Sequence, residues 1–191
     1  MKNRSALIAL AALTLTSIAA YGQATAWKVD PAHSGVEFQI RHLGVSNVRG
    51  SFSNVSGTVN WDEKNPEKSS VEAVIDATTV TTRNEMRDKH LKSPDFFDIT
   101  KYPTLAFKSN SVKRVNGKLQ VFGDLTLGGQ TKAVTLDVEE PAAPQTVRGK
   151  TVSGFSATGL LKRADFNFGP KYAPPMIGDE FKFTIDLEVG K

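Results

Sequence analysis

The chain has 191 residues, no cysteine and a formal net charge of +4, with 39% apolar and 23% charged residues. Without cysteine there is no disulfide framework, thiol nucleophile, thiolate metal site or cysteine-linked lipid anchor. Setting aside Lys2 and Arg4 leaves 22 basic against 20 acidic residues and no run of Lys or Arg, which argues against nucleic acid as a partner.

Residues 1–24 read as a secretory signal peptide. Lys2 and Arg4 form a positive start, Ala6 to Ile18 is an uncharged apolar run, and small residues allow cleavage after Ala24 or Ala26. The run is too short for a membrane span, which needs about 20 apolar residues. No later stretch is long enough either. The expected compartment is the periplasm, and residues 25–191 suffice for a single domain.

Trp27–Asp30 opens the domain and Pro31 stops it. His33–Leu43 follows as a ribbon, with Val36, Phe38 and Ile40 on one face and Glu37, Gln39 and Arg41 on the other. Arg49–Trp61 reads as a second ribbon whose period breaks between Phe52 and Val55, predicting a bulge or bend near Gly57. Ser70–Val80 is a third. Thr82–Lys92 is the one helix: Thr82 and Glu85 fit a capping box, Glu85 and Lys89 lie four apart, and Ser93-Pro94 ends it. Phe96, Phe97, Tyr102 and Pro103 form an aromatic connector expected to pack over one end of the sheet. Leu105–Val115 turns at Asn116-Gly117 into Lys118–Leu127, and Gly128-Gly129 turns it into Thr131–Val138. Pro141 and Pro144 mark a loop. Val152–Phe166 carries Phe155, Ala157, Gly159 and Leu161 in period, and Gly169–Ile177 is irregular. Phe181–Val189 is the most regular segment, apolar at every odd position and polar at every even one. About eight strands joined by hairpin turns make an all-β antiparallel domain, as an up-and-down barrel or a two-sheet sandwich.

Several blocks together resemble the YceI-like family. They are His33-Ser34 with Val36, Phe38, Ile40 and His42-Leu43-Gly44; Arg49-Gly50-Ser51-Phe52; Arg87-Asp88, His90-Leu91, Ser93 and Asp95-Phe96-Phe97; Lys101-Tyr102-Pro103; Gly123 to Gly129 with Thr131-Lys132; and Asp165-Phe166 with Gly178-Asp179-Glu180. The blocks run in order over nearly all of residues 25–191. The resemblance implies an eight-stranded antiparallel lipocalin-like barrel with a long apolar pore. It also implies a periplasmic location and an isoprenoid ligand, such as an isoprenoid quinone or a prenyl phosphate. The Gly169–Ile177 loop does not align with the family pattern, so its contact with ligand stays open.

The strand pattern places Phe38, Ile40, Phe107, Leu125, Leu136, Phe155, Phe183 and Ile185 on the interior face. They would line an apolar pocket or pack as a filled core. On the helix, Arg83, Arg87 and His90 are spaced to share one face. With Arg49 and His42 they are candidates for binding a polar or phosphorylated head group, or simply a solvated charged face. Arg87 and Asp88 could instead anchor the helix to the barrel. His33, His42 and His90 have no metal-ligand spacing, so no metal site is expected.

No catalytic motif stands out. His33 and Ser34 are adjacent and point to opposite strand faces, there is no GxSxG, and Gly149-Lys150-Thr151 lacks the first glycine of a P-loop. Glu139-Glu140 lies beside Pro141 and reads as exposed. The leading expectation is a binding protein for a long apolar isoprenoid, with no cofactor. The alternatives are a secreted hydrolase using His42 or His90, or a filled barrel acting through its surface. Homodimerisation through an exposed edge or the barrel mouth is open.

Overall fold

The computed structural model describes residues 24–191, so the signal-peptide segment lies outside the described residues. Eleven strands appear in chain order: β1 Thr25–Val29, β2 Gly35–His42, β3 Ser46–Phe52, β4 Val55–Trp61, β5 Ser70–Asp76, β6 Thr104–Val115, β7 Lys118–Leu127, β8 Gln130–Val138, β9 Gln145–Val147, β10 Lys150–Lys162 and β11 Ile177–Gly190. Among the described residues there is one α-helix, α1 Glu85–Leu91, between β5 and β6.

All pairings are antiparallel, and the sheet closes on itself, which decides for a barrel over a sandwich. The ring runs β11, β1, β4, β5, β6, β7, β8, β10 and back to β11. It has eight positions because two are shared. β1 and β2 follow one another along the same edge of β11, which pairs Val189 with Val29 and Asp186 with Gly35. β4 and β3 pair with them in turn, and β9 is a short hairpin onto β10.

The second ribbon expected from the sequence is thus two strands bent at Ser53-Asn54. Phe52 and Val55 both face inward although two residues separate them, and Asn54 takes φ 59° to turn the chain. Gly57 stays paired with Ala73 beyond the bend, so the break lies before it. The third ribbon ends at Asp76, whose carboxylate accepts from Thr78 N and starts a 3-10 turn over Ala77–Thr79. The Val152–Phe166 ribbon likewise ends in a 3-10 turn over Arg163–Phe166.

The helix is shorter than the sequence predicts, and its cap differs. Asn84 is the N-cap, its side-chain oxygen accepting from Arg87 N at 3.0 Å, and Glu85 is the first helical residue. Thr82 is not a cap but a buried anchor: its N–H (2.7 Å) and hydroxyl (2.5 Å) both donate to the Asp88 carboxylate. Asn outranks an interior Thr as a cap, and Arg83 with φ 61° breaks the helical run before it.

Strand alternation sends the apolar side chains to the barrel interior. In β11, Leu187 and Val189 are buried, while Lys182, Thr184 and Asp186 face solvent. In β7, Leu119, Val121, Leu125 and Leu127 are all buried. The barrel's buried apolar residues form two clusters, one with Trp27, Val29, Val55 and Val189 and one with Val112, Leu119, Val121 and Leu136. Among the described residues, no helix is long and apolar enough to cross a membrane.

Candidate functional site: the barrel lumen and its mouth

The lumen is open. A cavity of about 430 Å³ runs from Trp61, Val112 and Val138 at one end to α1, Phe96, Phe168 and Tyr172 at the other. All eight interior residues expected from strand periodicity line it: Phe38, Ile40, Phe107, Leu125, Leu136, Phe155, Phe183 and Ile185. The barrel is therefore not filled by its own side chains, which counts against the filled-barrel alternative.

One cause of the open lumen is visible in the wall. Phe38 lies over Gly50 on β3, Phe183 over Gly159 on β10, and Phe107 over Gly123 on β7. A Cβ at these glycines would fall 2.4, 2.2 and 2.6 Å from the respective ring. The rings thus fold down onto neighbouring strands where side chains would otherwise stand. Bulky residues at all inward positions would instead fill a small barrel.

An aromatic cluster lines the mouth. Phe97 packs edge-on against Phe52 at 5.3 Å and at a tilt against Phe168 at 4.6 Å, and Phe96 stacks on Tyr172 at 5.1 Å. Phe96 and Phe97 thus sit where the sequence expects them. Tyr102 does not line the cavity; its ring lies against Gly129 in the β7–β8 turn.

His90 meets Asp95 at 3.2 Å and the Tyr172 hydroxyl at 3.1 Å, both through Nε2. Lys171 Nζ donates to Asp95 at 2.6 Å and Tyr172 to the same carboxylate at 3.2 Å. The Lys171 hydrogen bond, followed by that from His90, holds the Asp95 carboxyl down to about 2. Burial and the Asp95 charge push the Tyr172 phenol up.

The predicted head-group set divides. His42, Arg87 and His90 line the cavity; Arg49 and Arg83 do not. Arg49 is paired with Gln39 and is exposed, out of phase with the inward Phe38 and Ile40. Arg83 precedes the helix and so does not share its face. Arg87 donates through Nε to Thr82 Oγ1 at 2.7 Å and through Nη2 to Thr82 O at 3.0 Å. Burial opposes ionisation of Asp88, yet hydrogen bonds from Thr82 and Thr81, with the Arg87 charge, lower its pKa overall. Arg87 and Asp88 therefore grip the same Thr81-Thr82 segment and tie α1 to the barrel.

Sequence reasoning missed Arg163. It is only 4% exposed, and its guanidinium donates to five backbone carbonyls: Gly178 (2.8 Å), Phe168 (2.7 Å), Gly169 (3.1 Å), Tyr172 (2.8 Å) and Ile177 (3.0 Å). Burial pushes its pKa down, partly offset by the Asp179 charge. This one side chain organises the Gly169–Ile177 loop and holds Tyr172, Met176 and Ile177 against the cavity, so that loop does contact the lumen. A signal existed: Arg163 continues the inward series Phe155, Ala157, Gly159, Leu161, and a charge on an apolar face requires full hydrogen bonding.

Away from the lumen, His33 lies between two carboxylates, with Nδ1 3.0 Å from Asp30 and 3.6 Å from Glu188. The Asp30 hydrogen bond and the Glu188 charge raise its pKa. The sequence spacing did not bring these three groups together; the β1–β2 corner beside β11 does. Glu140, expected to be exposed, is so, but pairs with Arg114 at 2.5 Å.

A YceI-like domain model matches residues 27–189. The chain belongs to the YceI-like family. It is 39% identical to Protein YceI of Shigella flexneri over 187 residues, covering 97% of each chain. Among solved structures, the Campylobacter jejuni YCEI protein is 31% identical with a TM-score of 0.70, over 79% of this chain and 89% of that one. A polyisoprenoid binding domain from Saccharophagus degradans, 16% identical, has the same fold with a TM-score of 0.62, over 85% of this chain and 97% of that one. The open apolar lumen described above is thus carried on a YceI-like barrel.

Proposed function

We propose that this protein is a periplasmic carrier that holds a long-chain isoprenoid in its barrel, for transport, storage or sequestration. The observation that carries the reading is the cavity of about 430 Å³ lined almost wholly by aliphatic and aromatic side chains. The polyisoprenoid binding named for the Saccharophagus degradans domain supports the same ligand class. The tail lies along the lumen, and the head group, a quinone or a prenyl phosphate, sits at the neck by His42, Arg87 and His90.

Burying about ten CH₂ equivalents contributes ~8 kcal/mol at ~0.8 each. Ordering and association costs reduce that sum, and a longer tail offsets them, so micromolar binding needs no polar contact. The reading is of a binding protein rather than a hydrolase, because the wall of the cavity is almost wholly apolar.

Native mass spectrometry of the mature protein purified from a bacterial periplasm tests this directly. A discrete added mass that fragments as an isoprenoid is the expected result. A bare polypeptide mass, unchanged after incubation with isoprenoid quinones and prenyl phosphates, would overturn it.

A further inference from the structure

Four large apolar side chains stand exposed around the mouth. Leu43 (53% exposed) and Val45 (77%) form the tip of the β2–β3 hairpin, Met176 (49%) lies on the loop held by Arg163, and Met86 (83%) is on α1. They belong to one rim. Leu43 N donates to Met176 O at 3.1 Å, and Gly44 sits against Pro175. Met176 lines the cavity itself, as does His42 next to Leu43. Met86 lies one helical turn from His90, which also lines the cavity and packs edge-on against Tyr172 at 5.6 Å. The remaining exposed large apolar residues, Val74, Val115, Val147 and Leu160, are placed singly on β5, β6, β9 and β10.

Charge is sorted to the same end. The three segments that make the mouth, residues 41–49, 82–102 and 167–177, carry eight Lys and Arg against four Asp and Glu. The rest of residues 24–191 is net −2. Arg41, Arg49, Arg83 and Lys89 are exposed and in none of the ion pairs of the described residues. Isolated apolar tips beside unpaired cations are the composition of an interfacial membrane contact, in which side chains enter the headgroup boundary while cations meet lipid phosphates.

We propose that the rim of the mouth docks on the surface of an anionic phospholipid bilayer. Leu43, Val45, Met86 and Met176 enter the interface, and Arg41, Arg49, Arg83 and Lys89 lie over the headgroups. A bilayer fits this rim better than a second copy does, because two mouths face to face would bring like charges together. Docking in this pose sets the lumen opening on the lipid, so an apolar molecule passes between bilayer and barrel without crossing water. The proposal goes beyond the carrier reading, and its test uses no isoprenoid, so either can fail alone.

The test is co-sedimentation of the purified mature protein with large unilamellar vesicles of phosphatidylcholine, or of phosphatidylcholine with one-quarter phosphatidylglycerol. Binding to the phosphatidylglycerol vesicles is expected, with little to phosphatidylcholine alone, and each of Arg83→Gln and Lys89→Gln should lower partitioning about fivefold. The pair Val45→Asp with Met86→Asp should abolish binding, while Val147→Asp on β9 leaves it unchanged. Circular dichroism and melting of each variant separate lost docking from lost fold. Absence of binding to either vesicle, or equal binding by the Val45/Met86 and Val147 variants, would overturn the proposal. A concentration-dependent dimer abolished by the Val45/Met86 pair, without vesicle binding, would assign the rim to a second copy and overturn it as well.

Discussion

Replacing Gly159 by alanine places a methyl carbon 2.2 Å from Cζ of Phe183, against an ordinary contact of 3.4 Å or more. The ring must retreat by about 1 Å or swing away, and the free space beside it is the lumen that Phe183 already lines. Overpacking of this kind costs about 1–3 kcal/mol. Phe183→Ala alone removes a ring packed on one side and facing the cavity on the other, so its cost falls near the lower end of the range for such truncations, about 3 kcal/mol. In the double variant the new methyl meets no ring. The two effects should then fall short of their sum by about 1–3 kcal/mol, a coupling large enough to resolve in a double-mutant cycle by urea unfolding. Gly159→Ala should also lower uptake of an apolar fluorescent probe such as N-phenyl-1-naphthylamine, and adding Phe183→Ala should restore it. Additivity within about 0.5 kcal/mol, with unchanged uptake in both variants, would refute the claim that glycine-seated rings keep the lumen open.

Phe183→Asp puts a carboxylate into the apolar lumen and should abolish ligand retention in native mass spectra while the barrel still melts cooperatively. Arg163→Met leaves five backbone carbonyls without their buried donor; stability should fall by more than about 3 kcal/mol, and amide exchange of residues 167–178 should rise above that of β10. Arg87→Ala should weaken retention of an isoprenoid quinone and of a plain isoprenoid hydrocarbon alike, since two of its N–H groups are fixed on Thr82; a loss confined to the quinone would mean that Arg87 touches the head group instead. At the β1–β2 corner, the His33 pKa is raised above 6.5, so its contribution to stability is full below 6.5 and is lost as pH rises through the raised value. NMR titration should show that value returning toward 6.5 in Asp30→Asn. Asp95 titrates in the opposite sense: its interactions at the mouth are intact above 3.8 and lost as pH falls through about 2.

The lumen was legible because strand side chains alternate with period 2, a rule that fixes facing from the sequence once a strand is placed. Phe38, Phe155 and Ile185 needed nothing more. The same rule correctly applied to β3 would have put Arg49 outside, opposite Gln39. Helical spacing does not carry Arg83 onto the face of α1, because its φ of 61° breaks the helical run. The mouth was legible only in part. Phe96 and Phe97 were visible as a cluster, but Phe168 and Tyr172 come from an irregular loop without period. Their placement depends on Arg163, whose acceptors are backbone carbonyls, and these leave no trace in side-chain identity. The pairing of Lys171 with Asp95 joins residues 76 apart in sequence, and His33 with Glu188 is likewise a product of ring closure.

Three polar side chains at the neck of the lumen share one property: they are hydrogen-bonded to the protein itself. Arg163 serves five carbonyls, Arg87 holds Thr82, and His90 is tied to Asp95 and Tyr172. A buried group left unpaired would cost more than its hydrogen bond returns, so this satisfaction is what allows cations to stand at the neck of an apolar cavity. It also divides the labour of the barrel. The cations at the neck shape the entrance, while the wall supplies apolar surface whose contribution grows with the length of whatever lies along it. Arg49, Arg83 and Lys89, exposed at the rim and in none of the ion pairs of the described residues, stand outside the lining of the cargo space, toward whatever surface the mouth approaches.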